Sequence, residues 1–495
     1  MRRFLWILGL LWLGIPAHAE DLDAVVDRLR ERYGVPGVAV VVVQDDRVVY
    51  AGGSGVRRVG TSDPMGPDTV MPVASVTKSF TAALAAIEVD EGKLGWDLPL
   101  ANVLTDLRLN EDYPTLHVTL RDFLAHRSGL PAFTGDLFDN LGYSREEVIR
   151  RVRHLPLSAG FRQQGAYSNV GFFLAGMACA RVEGDTWENL IQRKLLTPLK
   201  LTRSGFPQGP IPAGDYAYPH MPVAGSAPRA LTIYDSQSVL APAGMLSSSA
   251  NDLARFARML LNGGTLEGVR LLKPETVAEM FVPVTSIQPE FTDMAPIFAD
   301  SGMAFAMGWG VYHYNGYQIV EKGGARAGVR SCVTLVPERK LAIVVLANLS
   351  VTALPEAVRA HVLETCLGPS RRDLQGAIWA SQQQVNAMLG GVSLDPVPAP
   401  PVKAPSPVPL ANYAGRYEND LYGDMTVRAE GQGLTWVMGP ARFTGRLWPV
   451  AWTTFLMVNP PGQISLPGEV TFVLDEDGRA RSLLSDELGE FRRKL

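Results

Sequence analysis

The chain has 495 residues, 46% of them hydrophobic, and carries 46 lysines and arginines against 50 acidic residues, for a formal net charge of −4. This length allows a large core and two to four domains. The mildly acidic balance lacks the basic surface that nucleic-acid binding requires, so we expect no nucleic-acid partner.

The first 19 residues predict a signal peptide. Arg2 and Arg3 precede an apolar run from Phe4 to Ile15, and the small residues Ala17 and Ala19 follow it. The run is short for a bilayer span, although an uncleaved anchor is the alternative. No comparable apolar run follows, so we expect a periplasmic or secreted protein that does not span the membrane after signal cleavage.

Apolar patterning predicts β-rich blocks at both ends of the region that follows. A segment with helical spacing at residues 22–29 precedes two β-rich runs, Val38–Val43 and Arg47–Ala51, which form a hairpin. A second block, Gly316–Asn348, contains a hairpin around residues 337–340. Between the blocks, residues 75–91 have helical spacing and a helix-rich stretch continues to about residue 235.

This order of elements predicts an α+β fold with a C-terminal all-β domain. Residues 20–370 would form one antiparallel sheet whose first and last strands pair, flanked by helices, with an inserted all-α lobe at about residues 95–235. A helix and a proline-rich linker, residues 371–409, mark a domain boundary. Residues 410–495 predict a small all-β domain, lipocalin-like or barrel-like.

The three cysteines form no metal-site or redox pattern. Cys179, Cys332 and Cys366 are widely spaced, and we expect buried apolar side chains. One disulfide stays open in an oxidising compartment. The histidines show no metal-ligand spacing, and we expect His126 to make a loop-stabilising hydrogen bond.

The stretch "PVASVTKSFTAAL" places Ser75 and Lys78 three residues apart at the start of a predicted helix. The two side chains then share one face. Unpaired backbone N–H groups and the positive end of the helix dipole suit a nucleophile that generates an oxyanion. The alternative is a capping serine beside a solvated lysine, because so short a motif occurs by chance.

Two further motifs favour the nucleophile over the capping serine. Tyr167-Ser168-Asn169 precedes another apolar helix, and Lys322-Gly323-Gly324 ends a predicted strand. In this order and spacing the three motifs form the set of the penicillin-recognising serine enzymes. Residues 20–370 therefore resemble the class C β-lactamase-like serine hydrolases, which include β-lactamases, D,D-peptidases, D-aminopeptidases and esterases. The stretches Val118–Pro131 and Ala241–Ala257 support this resemblance.

The resemblance implies an acyl-transfer role for the polar residues of these motifs. Ser75 is the implied nucleophile and Lys78 its base, which burial and the nearby charge of Lys322 would keep neutral. Tyr167 would relay the proton to the leaving group, and Asn169 would hold the base and the substrate amide.

The remaining implied roles concern substrate binding. Gly323 and Gly324 would allow close approach of the substrate to the strand. The family pattern implies an oxyanion hole made by the backbone N–H groups of Ser75 and Ala325. Lys322 would also attract a substrate carboxylate. No metal and no organic cofactor is expected.

One position departs from the family pattern. Gly323 stands where β-lactamases commonly carry a threonine whose hydroxyl helps to hold the carboxylate of the antibiotic or of a terminal D-residue. This lowers the expectation of β-lactam hydrolysis and favours esters or peptides. Arg326 or Arg330 could supply the missing anion contact, or each could simply be solvated.

We therefore expect an exported serine hydrolase of the β-lactamase, D,D-peptidase or esterase type. Its substrate would be a β-lactam, a D-amino-acid peptide (peptidoglycan-derived peptides included) or a small ester. A penicillin-binding or wall-fragment-binding sensor with little turnover is the alternative. A third hypothesis gives the main role to the β-rich tail, as an oligomerisation or ligand-binding module. The sequence does not set the oligomeric state.

Overall fold

The computed structural model describes residues 21–207, 209–223, 225–234, 238–286, 303–389, 401–458 and 468–494. The predicted signal peptide lies outside the described residues, and so do residues 390–400 of the predicted linker. The helices are α1 (Leu22–Arg32), α2 (Thr77–Asp90), α3 (Asp112–His117), α4 (Leu120–Leu124), α5 (Phe138–Leu141), α6 (Arg145–Arg151), α7 (Asn169–Glu183), α8 (Trp187–Ile191), α9 (Ala241–Gly244), α10 (Ala250–Leu261), α11 (Pro274–Met280), α12 (Leu354–Leu367) and α13 (Leu374–Leu389).

Among the described residues, sixteen strands precede residue 350 and eight form the C-terminal domain. They are β1 (Gly37–Gln44), β2 (Arg47–Gly55), β3 (Met71–Pro72), β4 (Gly209–Pro210), β5 (His220–Val223), β6 (Ser226–Ala230), β7 (Ile233–Tyr234), β8 (Ser247–Ser248), β9 (Thr265–Leu266), β10 (Val269–Arg270), β11 (Thr285–Ser286), β12 (Ala304–Phe305), β13 (Gly310–Tyr314), β14 (Tyr317–Arg326), β15 (Val329–Val336), β16 (Leu341–Ala347), β17 (Gly415–Asn419), β18 (Gly423–Glu430), β19 (Gly433–Met438), β20 (Phe443–Ala451), β21 (Thr454–Val458), β22 (Gly468–Leu474), β23 (Ala480–Ser485) and β24 (Gly489–Arg493).

The main sheet is antiparallel and runs in the order β11-β12-β13-β14-β15-β16-β1-β2. The N-terminal strand β1 pairs with β16 along its length, from Val38 opposite Ala347 to Gln44 opposite Leu341. The predicted pairing of first and last strands is therefore confirmed.

Helices cover both faces of this sheet. Alternate residues of β1 enter different clusters: Val40 packs with α1 and α12, while Val41 packs with α2 and α10. This two-sided burial explains why β1 lacks polar alternation. The helices α3 to α8 form the lobe inserted between β2 and the later strands, and the α+β prediction is confirmed.

The C-terminal strands β17 to β24 form a closed barrel, in which β24 pairs back onto β17. Aromatic rings fill its interior: the centroids of Tyr413 and Phe455 lie 5.0 Å apart, and those of Phe455 and Phe472 lie 5.3 Å apart. Trp436 is also fully buried there. The predicted small all-β domain is thus a barrel with a packed aromatic core.

The cysteines are free thiols. Cys179 and Cys332 are buried and Cys366 is half-buried. None of the three is joined in a disulfide, so the alternative left open by the sequence is not realised. In the part of the chain that the structure describes, no helix combines the length and the apolar character needed to cross a bilayer.

Candidate active site

Ser75 lies in a tight 3₁₀ turn, Ala74–Val76, that leads directly into α2. The preceding residue, Ala74, has a φ of +47°, a left-handed conformation that costs energy for a residue with a Cβ. The hydroxyl of Thr77 donates to the Ala74 carbonyl at 2.7 Å and accepts from the Leu246 N–H at 3.0 Å, which holds this strained turn. The sequence predicted a helix from residue 75, but the α-helical turns begin two residues later.

Lys78 is fully buried one turn along, and its Nζ meets three oxygens. It lies 3.2 Å from Ser75 Oγ, 2.6 Å from Asn169 Oδ1 and 2.8 Å from the Ala243 carbonyl oxygen. Burial holds the pKa of Lys78 well below its usual range, and the charge of Lys322 lowers it further. The site therefore contains an amine that is able to accept a proton.

Tyr167 lies between the two lysines. Lys322 Nζ is 3.4 Å from the Tyr167 hydroxyl, and the Nζ atoms of Lys78 and Lys322 are each 4.8 Å from the centre of its ring. Burial raises the pKa of Tyr167, whereas a hydrogen bond with Ser75 lowers it. The structure thus brings Ser75, Lys78, Tyr167 and Lys322 into one hydrogen-bonded group.

The ring of His126 packs against Tyr167. The two rings stack with centroids 4.5 Å apart, and His126 Nδ1 accepts from the backbone N–H of Ser168 at 3.0 Å. Burial lowers the pKa of His126 well below its usual range, so the neutral ring acts as an acceptor. The geometry agrees with the expected loop-stabilising hydrogen bond.

A buried carboxylate fixes the loop that carries His126. Asp122 is inaccessible to solvent and pairs with Arg127 and Arg162, each at 2.8 Å. Asp122 also completes a capping box with Thr119 at the start of α4. The motif-like stretch Val118–Pro131 therefore serves mainly to position the site.

Asn169 begins α7 after the capping residue Ser168, whose side chain accepts from Gly171 N–H at 3.1 Å. The amide of Asn169 bridges two side chains, because Oδ1 accepts from Lys78 and Nδ2 donates to Asp136 Oδ2 at 2.8 Å. Burial raises the pKa of Asp136 to about 6. The sequence analysis missed Asp136, which no motif contains.

The third motif lies on β14 beside Ser75. Burial lowers the pKa of Lys322 to about 7. A Cβ on Gly324 would lie 3.1 Å from the Ser75 nitrogen and closer still to Val73 O and Ser331 Oγ, while one on Gly323 would come no closer than 3.8 Å to Ser331 O. Glycine is therefore required at position 324 for the approach of β14 to Ser75.

Ala325 follows Gly324 along β14 and is exposed. Its N–H remains the predicted second donor of the oxyanion hole.

Residue Glu321, just before Lys322, is anchored in the core. It forms a buried ion pair with Arg359 and accepts from Thr334 Oγ1 at 2.8 Å and from Tyr312 OH at 3.2 Å. Breaking such a buried pair is costly, so this cluster fixes the strand that carries the third motif.

The two arginines considered for anion binding are both engaged. Arg330 pairs with Glu356, and its Nε donates to the Thr352 carbonyl at 3.2 Å. Arg326 donates to the Gly244 carbonyl at 3.3 Å. Arg330 is therefore directed to α12, while Arg326 lies against the end of α9.

The short helix α9 supplies backbone carbonyls. Ala243 accepts from Lys78, and Pro242 accepts from Thr81 Oγ1 at 2.7 Å. Ala241 of α9, Met245 and Asp139 line a cavity of about 400 Å³. Asp139 also raises the pKa of Lys78 through its charge.

Two other features lie apart from this group. Trp309 is 1% exposed and packs edge-on against Phe281, with centroids 5.9 Å apart, so it belongs to the core. Away from the site, Glu88, Glu91 and Glu183 cluster closely enough to resemble a metal-binding group. Lys194 Nζ already occupies their centre, at 2.8, 2.8 and 2.5 Å respectively.

The chain is similar in sequence to proteins of known name. A penicillin-binding protein 4 from Amycolatopsis lactamdurans is 27% identical over 402 residues, which cover 80% of this chain and 96% of that protein. The unguisins hydrolase ungD' of Aspergillus campestris is 26% identical over 429 residues, covering 82% of this chain and 77% of its own.

Among solved structures, the octameric penicillin-binding protein homologue from Pyrococcus abyssi shares the fold. Its TM-score is 0.60 at 21% identity, with 95% of this chain and 99% of that chain covered. A domain of unknown function, DUF3471, matches residues 399–493. The Beta-lactamase family model matches residues 22–365, and the chain belongs to the Beta-lactamase family.

Proposed function

We propose that this protein is an exported serine hydrolase that forms an acyl-enzyme on Ser75 and acts on amide or ester bonds. The proposal rests on the three contacts that Lys78 Nζ makes. A neutral amine has two N–H donors and one lone pair. The carbonyl oxygens of Asn169 and Ala243 take the two donors, which leaves the lone pair for the hydroxyl of Ser75.

Acylation then follows from the arrangement. Ser75 Oγ attacks the substrate carbonyl while its proton passes to Lys78 Nζ, and the carbonyl oxygen becomes an oxyanion. The backbone N–H groups of Ser75 and Ala325 would stabilise that charge. Tyr167, hydrogen-bonded to both Ser75 and Lys322, delivers a proton to the leaving amine or alcohol as the carbonyl–leaving-group bond breaks.

Deacylation uses the same groups in reverse roles. Tyr167, left as a phenolate by acylation and stabilised by Lys322, takes a proton from an incoming water molecule, and the resulting hydroxide attacks the acyl carbonyl. The bond to Ser75 Oγ breaks, and the serine recovers its proton from Lys78. The enzyme returns to its starting state with no cofactor.

Within this class we place substrates that need no carboxylate contact, namely small esters and internal D-amino-acid peptide bonds, ahead of β-lactams. Gly323 has no hydroxyl for the carboxylate of a β-lactam, and Arg330 is neutralised by Glu356. The relatives named as an unguisins hydrolase and a penicillin-binding protein support a substrate of this general kind, and peptidoglycan-derived peptides are included. Export rests on the N-terminal pattern of residues 1–19.

A sensor that is acylated but does not turn over is the second candidate. It is favoured by the likeness to a penicillin-binding protein. The fully connected Tyr167 hydroxyl argues for turnover, because a protein that only binds has no need of a proton relay.

The test is hydrolysis of p-nitrophenyl acetate and of a D-alanyl-D-alanine peptide by the wild type and by S75A. The matched control is S79A, which removes a buried hydroxyl one helical turn away that donates to Gly308 O at 3.3 Å. We expect turnover by the wild type and by S79A, and none by S75A. Equal turnover by S75A would refute the nucleophile. A single acylation without turnover would establish the sensor instead.

A further inference from the structure

The barrel domain contacts the catalytic lobe through Tyr422. This residue lies in the turn between β17 and β18, is 2% exposed, and accepts a hydrogen bond from the backbone N–H of Gly135 at 3.1 Å. Its ring packs against Phe138, with centroids 5.6 Å apart. The next residue after Gly135 is Asp136, whose carboxylate holds Asn169.

The turn that presents Tyr422 is itself held within the barrel. Asn419 Oδ1 accepts from the N–H groups of Leu421 and Tyr422 at 2.9 and 2.8 Å. The Asn419 amide also donates to the carbonyls of Leu488 and Glu490, at 3.2 and 3.0 Å. Tyr422 is therefore fixed relative to the barrel strands.

Several hydrogen bonds lock the same turn to the lobe. Tyr143 OH donates to the Tyr422 carbonyl at 3.1 Å, and Arg151 donates to the carbonyls of Asp420 and Leu421, both at 3.1 Å. Together with the bond at Gly135, these contacts attach the barrel to residues on both sides of α5. The segment that carries Asp136 is thus held from the barrel side.

Asp136 depends on this support. Its Oδ2 accepts from Asn169, while its buried Oδ1 faces no donor among the residues that the structure describes. The charged groups that act on it are Lys78 and Asp139. With a single side-chain hydrogen bond, its position depends on its backbone, which is held at Gly135 by Tyr422 and within the loop by the bond from the Asp136 N–H to the Phe133 carbonyl at 3.2 Å.

We propose that Tyr422 is a positioning residue for catalysis: the barrel fixes Gly135 and Asp136, and through Asn169 it holds Lys78 against Ser75. This inference rests on the proposed function, since it assigns to the barrel a part in the reaction of that same site. It predicts that catalysis is sensitive to one hydroxyl in the other domain.

The test compares Y422F with Y417F. Tyr417 is a buried barrel tyrosine whose hydroxyl donates to the Tyr413 carbonyl at 2.6 Å, within the barrel, so both variants lose one buried hydroxyl. For p-nitrophenyl acetate we expect Y422F to lower kcat about tenfold with KM unchanged, because the Gly135 N–H loses its buried acceptor. Y417F should keep the wild-type kcat.

A double-mutant cycle with D136N separates positioning from general loosening. If Tyr422 acts through Asp136, the Y422F effect on kcat should shrink to less than twofold in the D136N background. The pH profile gives a second readout. The Asp136 carboxylate raises the pKa of Lys78, so its displacement should move the acidic limb of kcat/KM to lower pH.

The outcomes distinguish this inference from the proposed function. A Y422F variant with the wild-type kcat and pH profile would overturn the inference. So would a Y422F effect on kcat that is equal with and without D136N. In either case, loss of activity in S75A would still support Ser75 as the nucleophile. If no substrate is turned over, amide hydrogen exchange gives the answer. Y422F should accelerate exchange in residues 133–141 and 75–80 relative to Y417F, and unchanged exchange would overturn the inference.

Discussion

The side-chain nitrogen of Lys78 lies 3.2 Å from the hydroxyl oxygen of Ser75, one helical turn before it. Burial and the charge of Lys322 both lower the pKa of Lys78, so Ser75 is in contact with an amine that is able to accept its proton, as the proposed function requires. The side-chain carbonyl of Asn169 and the backbone carbonyl of Ala243 accept from the same amine and so fix the direction of its lone pair.

Replacing Lys78 by methionine should remove the base while keeping much of the side-chain volume. We expect K78M to lower kcat for p-nitrophenyl acetate by about 10³-fold, in line with the usual contribution of general-base catalysis. Circular dichroism should show an unchanged fold. A kcat within tenfold of the wild type would mean that another group takes the Ser75 proton.

Tyr167 should matter for proton delivery and for water activation. Y167F keeps the ring that stacks on His126 but loses the hydroxyl near Lys322, so kcat should fall about 10²-fold or more with little change in KM. Y113F, at an exposed tyrosine of α3, is the matched control and should behave as the wild type. Rapid acylation followed by slow release in Y167F would assign the hydroxyl mainly to deacylation.

The pH dependence of substrate binding should report on Lys322. Burial lowers its pKa to about 7, so its charge is present below pH 7 and is lost above it. For a substrate with a carboxylate, KM should rise as the pH passes through 7, whereas KM for a neutral ester should stay flat. A KM that rises equally for both substrates would contradict the role of Lys322 in anion binding.

The two glycines of the third motif should differ in their tolerance of a side chain. A Cβ at position 324 would meet the backbone of Val73 and Ser75, whereas one at position 323 meets only ordinary contacts. G324A should therefore destabilise the protein by about 1–3 kcal/mol, as overpacking does, and G323A should leave the melting temperature nearly unchanged. Equal melting temperatures for both variants would show that β14 does not approach the nucleophile this closely.

The pattern of the sequence predicted the sheet, and the resemblance carried by the three motifs predicted the polar group around Ser75. The uninterrupted apolar run of β1 indicated a strand covered on both faces, and the three ordered motifs placed Ser75, Lys78, Tyr167 and Lys322 together. Each motif is local in the sequence, whereas the expectation that the three meet, across 91 and 155 positions, came from the resemblance to the β-lactamase-like serine hydrolases.

The parts that sequence patterns could not provide depend on tertiary contacts. The Ala243 carbonyl reaches Lys78 from 165 positions away, and a backbone carbonyl leaves no mark on the residue type. Tyr422 reaches Gly135 from a separate domain, 287 positions away. The left-handed Ala74 was also unpredictable, since alanine disfavours that conformation and only the packing around Ser75 enforces it.

The most direct test of the account is rapid-quench mass spectrometry of the wild type during turnover of p-nitrophenyl acetate, followed by peptide mapping. We expect a transient mass gain of one acetyl group on the peptide that contains Ser75, absent from S75A and present in S79A. An adduct on another residue, or turnover in S75A at the wild-type rate, would contradict catalysis through a Ser75 acyl-enzyme.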